Sequence, residues 1–409
     1  MTAKLTVVIE HRFVRTPDGA VWTEAAMPYS FWRDYLKVFE QIRVVARIHP
    51  VTHISADLKR ASGPGLEFVP IPYYVGPLGF LSRLPGIVGT LRQVTAERTA
   101  VLLRVPSILG SIAVLLLRAS GRPYAVQVVG DPFDVFAPGA VRHPLRPVFR
   151  GVFTLLLKWQ CRGASAASYV TQAALQRRYP TRAGFTNHFS NVELPTHALV
   201  PQAKTDWADL GTPARPAQLI LVGSLSQLYK GPDVLLRSVA LMKAAGLHIR
   251  LTIIGDGRHR HELEDLAQQL DLAHDVDFVG QLPPGDAIRS RLDDADLFVL
   301  PSRTEGLPRA MIEAMARSLP CVGSAVGGIP ELLPSEALVP PGEPAALADR
   351  LGSALRDPHW LQAMSSRNLE VARSFSDDVL SQRRSAFLQA IRDFSGHAVQ
   401  SRETGRFME

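Results

Sequence analysis

At 409 residues the chain is longer than a single hydrophobic core usually grows, so two domains are expected. A hydrophobic content of 46% with 20% charged residues excludes a disordered chain. The net charge of +7 is lopsided: residues 1–200 hold 23 Lys+Arg against 11 Asp+Glu, and the remainder holds 22 against 27. The basic first half points to an anionic partner, with solvated surface arginines as the plain alternative.

In chain order, an apolar run over 5–10 reads as the first strand. One lysine precedes it, without a long apolar core or a small-residue cleavage site, so it is not read as a secretory leader. Further strands are expected at 44–48, 66–71, 100–103 and 124–129, with helical patterns at 30–39 and 108–118. The longest apolar stretch, 105–117, is broken by Pro106, Ser107 and Ser111. It is too short to span a bilayer and reads as a buried helix. A strand at 164–170 and a helix at 171–179 complete this half. A looser, proline-rich stretch follows from Asn187 to Arg215.

Strands then fall at 218–223, 249–254, 276–279, 297–300 and 321–323. Helices fall at 233–244, 261–270, 285–293 and 308–318, and another opens near Pro330. This alternation predicts an α/β chain with two doubly wound Rossmann-like domains. The expected boundaries are 1–195, a linker at 196–217, a second domain at 218–375 and a helical tail at 376–409. Cys161 and Cys321 form no disulfide framework and fit a reducing, cytoplasmic compartment.

Doubly wound sheets bind ligands at the carboxyl ends of their strands, which directs attention to three loops. The first runs Gly223-Ser224 to Lys230-Gly231. A glycine at a strand end admits a ligand close to the backbone, and a lysine beside a helix start suits a diphosphate. It lacks P-loop spacing, and a solvated lysine is the alternative. The second, Gly255-Asp256-Gly257, lacks the third glycine of a dinucleotide fingerprint and is otherwise a plain turn. The third runs from Pro301-Ser302 through Glu305-Gly306-Leu307-Pro308 into a helix bearing Glu313. Two carboxylates along one cleft can accept hydrogen bonds from vicinal sugar hydroxyls; a helix cap plus a surface residue is the alternative. Gly327-Gly328-Ile329-Pro330-Glu331 opens the next helix.

Taken together, Glu305 with seven residues before Glu313, framed by Pro301-Ser302 and by Gly327 to Glu331, resembles family 4 of the retaining GT-B glycosyltransferases, the group 1 type. Val222-Gly223, Lys230-Gly231 and Gly255-Asp256-Gly257 fit the same pattern in order and spacing. The resemblance is specific over about 218–345 and only topological in the first half. It implies a GT-B fold of two domains facing across a cleft, with a C-terminal helix packing back on the first domain. It implies a nucleotide-sugar donor, UDP- or GDP-linked, held without a metal or cofactor.

Carried onto matching positions, Lys230 neutralises the donor diphosphate and Glu313 binds ribose hydroxyls. Glu305, with the backbone of Gly306 and Leu307, holds the transferred sugar, and Gly255 to Gly257 lie near the base. The pattern's usual arginine before the lysine is Ser224 here, so diphosphate binding is expected to lean more on Lys230 and helix dipoles, or on an arginine from elsewhere such as Arg303 or Arg309. Asp294-Ala295-Asp296 matches a metal-binding string but leads straight into a strand, and reads as a helix end.

The acceptor is expected on the first domain. There Asp131 or Asp134 either orients the acceptor hydroxyl or caps a turn, and the aromatic stretch 22–32 shapes a pocket or is core. The segment 142–159 mixes basic and apolar residues, which suits peripheral contact with an anionic membrane or an internal helix with solvated arginines. The resemblance suggests a saccharide or lipid-linked saccharide acceptor in bacterial polysaccharide or lipopolysaccharide assembly. Other readings are a different GT-B enzyme, such as a nucleotide-sugar epimerase or a phosphorylase, or a non-catalytic basic membrane or nucleic-acid binder. No nucleic-acid motif appears, and nucleic acid is not expected as a partner.

Overall fold

The structure, a computed structural model, describes residues 3–406 except 25, 56–57, 138–142 and 193, with side chains described to residue 395. Arg142, the start of the basic–apolar segment, and residues 407–409 of the expected tail lie outside the described residues.

The first half has β1 (Lys4–Arg15), β2 (Val21–Thr23), α1 (Arg33–Leu36), β3 (Gln41–Pro50), β4 (Lys59–Arg60), β5 (Leu66–Ile71), α2 (Gly76–Ala96) and β6 (Ala100–Val105). It continues with α3 (Ile108–Ala119), β7 (Ala125–Val128), α4 (Pro132–Val135), α5 (Arg146–Arg162), β8 (Ala166–Tyr169), α6 (Ala174–Arg178) and β9 (Phe185–His188). The second half has β10 (Ala217–Val222), α7 (Pro232–Ala244), β11 (Ile249–Ile254), α8 (Arg260–Gln269), β12 (Val276–Gly280), α9 (Asp286–Asp293) and β13 (Leu297–Leu300). Then come α10 (Arg309–Ala316), β14 (Cys321–Ser324), α11 (Ile329–Leu332), β15 (Leu338–Val339), α12 (Pro344–Leu355), α13 (Pro358–Arg373) and α14 (Asp377–Arg406).

The parallel core of the first sheet runs β5-β3-β1-β6-β7-β8-β9, and β2 and β4 add an antiparallel edge beyond the bulge in β1. The second sheet, β12-β11-β10-β13-β14-β15, is wholly parallel. Strands such as Leu297–Leu300 are buried on both faces, which is why they read as continuous apolar runs. One core packs α2, α3 and α5 on one face of the first sheet. A second core fills the other face and continues under α10 of the second half, so the halves share apolar packing.

The expected architecture holds, including the returning tail: α14 lies against β6, β8, β9 and α1, burying Phe387, Leu388 and Ile391. Three details differ from expectation. The helix expected at 30–39 is a 3-10 turn followed by one α-helical turn. The looser stretch begins inside β9, whose Asn187 amide donates to the Arg383 carbonyl, and the linker buries Trp207 and Leu210 in the second core. The long helix α2 has no counterpart in the periodicity. Pro85 and several glycines lower its propensity, and tertiary burial of Ile87, Leu91 and Val94 overrides this.

Candidate functional site

The loops at the carboxyl edge of the second sheet are stitched by backbone hydrogen bonds. Gly223 N donates to Ile254 O (2.9 Å), Leu225 N to Asp256 O (2.9 Å) and Arg303 N to Tyr229 O (2.7 Å). A side chain at Gly255 would overlap the Gly223 carbonyl, so the first two glycine loops are one packed unit, completed by Gly257 against Ser226. Gly327 has φ +53°, and a side chain there would strike the Glu305 carbonyl; Gly328 N donates to Gly306 O (2.7 Å).

On this frame Lys230 and Glu305, 75 residues apart, meet. Lys230 Nζ lies 2.8 Å from both Glu305 oxygens, and the two side chains are only 12% and 8% exposed. The lysine stem passes over Gly223, and its ammonium lies 5.2 Å from the Tyr229 ring centre. Ser302 Oγ donates to Glu305 Oε2 at 3.4 Å. Glu313 stands partly buried in the second turn of α10, and Leu307 packs against Gly328.

Ser224 is exposed, its hydroxyl bonded to Ser226 Oγ (3.1 Å), and offers the cleft no charge. Arg303 does not replace the missing arginine. Its guanidinium is locked bidentately on Asp233 at 2.8 and 2.6 Å and on the Leu228 carbonyl at 2.7 Å. Arg309 is exposed at the start of α10. Asp296 accepts from Lys204 Nζ (3.1 Å) and Gln218 N (3.0 Å), and Asp294 ends α9, so this pair serves the strand entry.

Across the cleft, Asp131 is both a cap and a lining residue. Its carboxylate caps α4 through Phe133 N (2.9 Å), receives the Tyr179 hydroxyl and pairs with Arg178, which also holds Asp134 at 3.0 Å. Burial and the Asp131 charge beside it raise the Asp134 pKa. Asp131, Thr171 and Arg178 from the first half, with Glu305, Gly306 and Gly327 from the second, border one cavity of about 340 Å³. The halves are also clasped beside it: the Glu331 carboxylate accepts from the amides of Gln172 (2.6 Å), Ala173 (2.9 Å) and Ala174 (2.5 Å).

The sequence reading missed a polar group at the carboxyl edge of the first sheet. Arg104, near the end of β6, donates to Gln127 Oε1 at 2.8 Å and lies over Phe31, and among the described residues no carboxylate pairs with it. Burial lowers its pKa, and Arg384 and Arg309 of α10 lower it further, which places it within electrostatic reach of the second half. His11, beside it in the β1 bulge, bonds Thr23 Oγ1 (2.7 Å), and its pKa falls to about 4 through burial, then Arg104 and Arg47. The available signal was an arginine and a glutamine interrupting otherwise apolar strands.

Residues 203–370 match the family model of the glycosyl transferases group 1. Protein CapJ of Staphylococcus aureus is 27% identical over 332 residues, 80% of each chain. The putative colanic acid biosynthesis glycosyltransferase WcaL of Salmonella typhimurium is 35% identical over 190 residues, 44% of this chain and 46% of that protein. Among solved structures, sucrose-phosphate synthase from Thermosynechococcus elongatus superposes with TM-score 0.67 at 19% identity, covering 93% of this chain and 96% of that one. Anabaena HepE in complex with UDP-glucose superposes with TM-score 0.58 at 17% identity, covering 97% and 99%. The fold is therefore GT-B, the fold of these glycosyltransferase neighbours.

Proposed function

We propose that the chain is a retaining, metal-independent family 4 glycosyltransferase. It moves a sugar from a UDP- or GDP-linked donor to a saccharide or lipid-linked saccharide in bacterial polysaccharide or lipopolysaccharide assembly. The observation that carries this reading is the Lys230–Glu305 pair at the edge of the interdomain cavity, inside the segment matched to the glycosyl transferases group 1. Complexes of HepE with UDP and UDP-glucose, and the naming of WcaL as a putative colanic acid biosynthesis glycosyltransferase, support the donor class and the role.

In this reading the donor diphosphate enters between Gly223-Ser224 and the start of α10 and takes over Lys230. Glu305 is thereby released toward the sugar hydroxyls, together with the amides of Gly306 and Leu307. Glu313 takes the ribose, and Gly255 and Gly257 border the base. When the bond from the sugar to the diphosphate breaks, negative charge grows on the leaving phosphate, and Lys230 stabilises it; loss of one such group costs on the order of 10²–10³ in rate. The proton of the acceptor hydroxyl leaves with a phosphate oxygen. Asp131 is held by Arg178 and Tyr179, so it orients the acceptor as a fixed acceptor of hydrogen bonds.

Metal independence belongs to this reading because Lys230 and the helix starts take the diphosphate charge, and the EDTA arm of the test below checks it. The two free, buried cysteines fit the cytoplasm, where we place the enzyme, and the basic, apolar α5 fits contact with the inner face of the membrane. The test is a thermal-shift screen with UDP-, GDP- and ADP-sugars. One nucleotide class should raise the melting temperature with EDTA present, and Lys230→Met should abolish that shift. Failure of all three classes with a well-folded protein would overturn the reading.

A further inference from the structure

On the outer face of the first sheet, α2, α3 and α5 cover one core. Along these three helices there is no aspartate or glutamate. Cations are present on all three: Arg83 and Arg92 on α2, Arg118 on α3, and Arg146, Arg150, Lys158 and Arg162 on α5. Among the described residues none of these forms an ion pair with a carboxylate; Arg118 and Arg150 instead donate to backbone carbonyls and lie over Trp159 and Phe133.

The same helices hold most of the protein's exposed apolar bulk. Of the eleven large hydrophobic residues exposed among the described ones, eight lie on these helices or are the cap residue that opens one. On α5, Val148, Val152 and Leu155 recur at i, i+4 and i+7, a single stripe facing away from buried Leu157 and Cys161. On α2, Leu78 is 83% exposed and Leu81 lies one turn further on. Exposed apolar residues scattered singly need no explanation, but a coherent stripe on basic helices that carry no acidic residue does.

We infer that this three-helix face is a docking surface for an anionic phospholipid bilayer. Apolar side chains at the head-group boundary, with lysine and arginine stems snorkelling to the phosphates, are what such a surface requires. A nucleic acid would leave Leu78 and Leu155 in water and would find no exposed aromatic platform, since Phe136, Phe149 and Phe153 pack on one another. Both α2 and α5 open at the carboxyl edge of the first sheet, the edge that borders the cleft. A membrane on this face therefore lies beside the acceptor side, and that last step alone rests on the proposed function.

The test uses the full chain and sedimentation with phosphatidylcholine vesicles, with and without phosphatidylglycerol, at low and high salt. Binding should need the anionic lipid, weaken with salt, and fall on the order of tenfold in Leu78→Glu/Leu81→Glu and, separately, in Val152→Glu/Leu155→Glu. Both variants should melt like the parent and keep its nucleotide-sugar thermal shift, so loss of vesicle binding is distinguishable from failure of the donor reading. Equal binding to neutral vesicles, parental binding by both variants, salt-sensitive binding to polyuridine without vesicle binding, or a dimer abolished by the variants without vesicle binding would each overturn the inference.

Discussion

Lys230 and Glu305 neutralise one another where little water reaches them, and on the proposed function a donor separates them as it binds. Removing one partner of such a pair leaves the other charge stranded, which is costlier than losing the attraction itself. His11, in the β1 bulge of the first sheet, shows the same electrostatics with the sign of the cost reversed. Its folded-state pKa of about 4 lies below its ordinary 6.5, because burial and then Arg104 and Arg47 oppose a second proton. Between these values the unfolded chain takes up the proton first, so this contribution to stability is complete above 6.5 and declines as the pH falls toward 4. Melting temperature measured over this window should therefore fall with pH, and His11→Gln should flatten the fall. Of the site itself, Lys230, Glu305 and their glycine loops were legible because unusual residues recur at strand ends. Arg104 and His11 were not, because nothing local marks which polar residue of a strand meets a cleft.

At the level of elements, the clasp between α11 and the turn before α6 is one of the ties between the halves. The Glu331 carboxylate satisfies three consecutive amides of the first half, and Gly328 lies against Thr171. Hydrogen bonds to a charged group contribute about 1.5–3 kcal/mol each at most, and three sharing one carboxylate contribute less than their sum. Glu331→Gln keeps the shape and removes the charge. It should raise hydrogen exchange at the amides of 172–174 severalfold while leaving β10 and β11 protected; unchanged exchange would show that the clasp is incidental. Period and turn chemistry disclosed most second-half elements, since parallel strands buried on both faces are compact apolar runs. They failed at α2, where glycines and Pro85 hide a helix held by its neighbours, and at β9, four residues without an apolar pattern.

For the molecule as a whole, the tail is structural. Phe387 is 1% exposed and meets Phe189 at 6.0 Å between ring centres, while Arg384 and Ser381 both bond Asp34. Phe387→Ala should cost about 3–5 kcal/mol, the range for emptying a buried aromatic site, read as a lower denaturant midpoint for the first half. A midpoint within error of the parent would mean that α14 only rests on the surface.

The two passages of the chain between the halves meet at one place. Leu194 N donates to Asp377 Oδ1 (2.8 Å), and Asp377 N donates to Leu194 O (3.0 Å). The second half is thus an insertion whose ends are fastened side by side, like a door on a two-leaf hinge. Such a mounting brings both crossings to one joint, and the shared apolar core and the Glu331 clasp hold the halves together across it. Its two ends lie close enough to be joined to one another, whereas cutting it out would bare the apolar packing that the halves share.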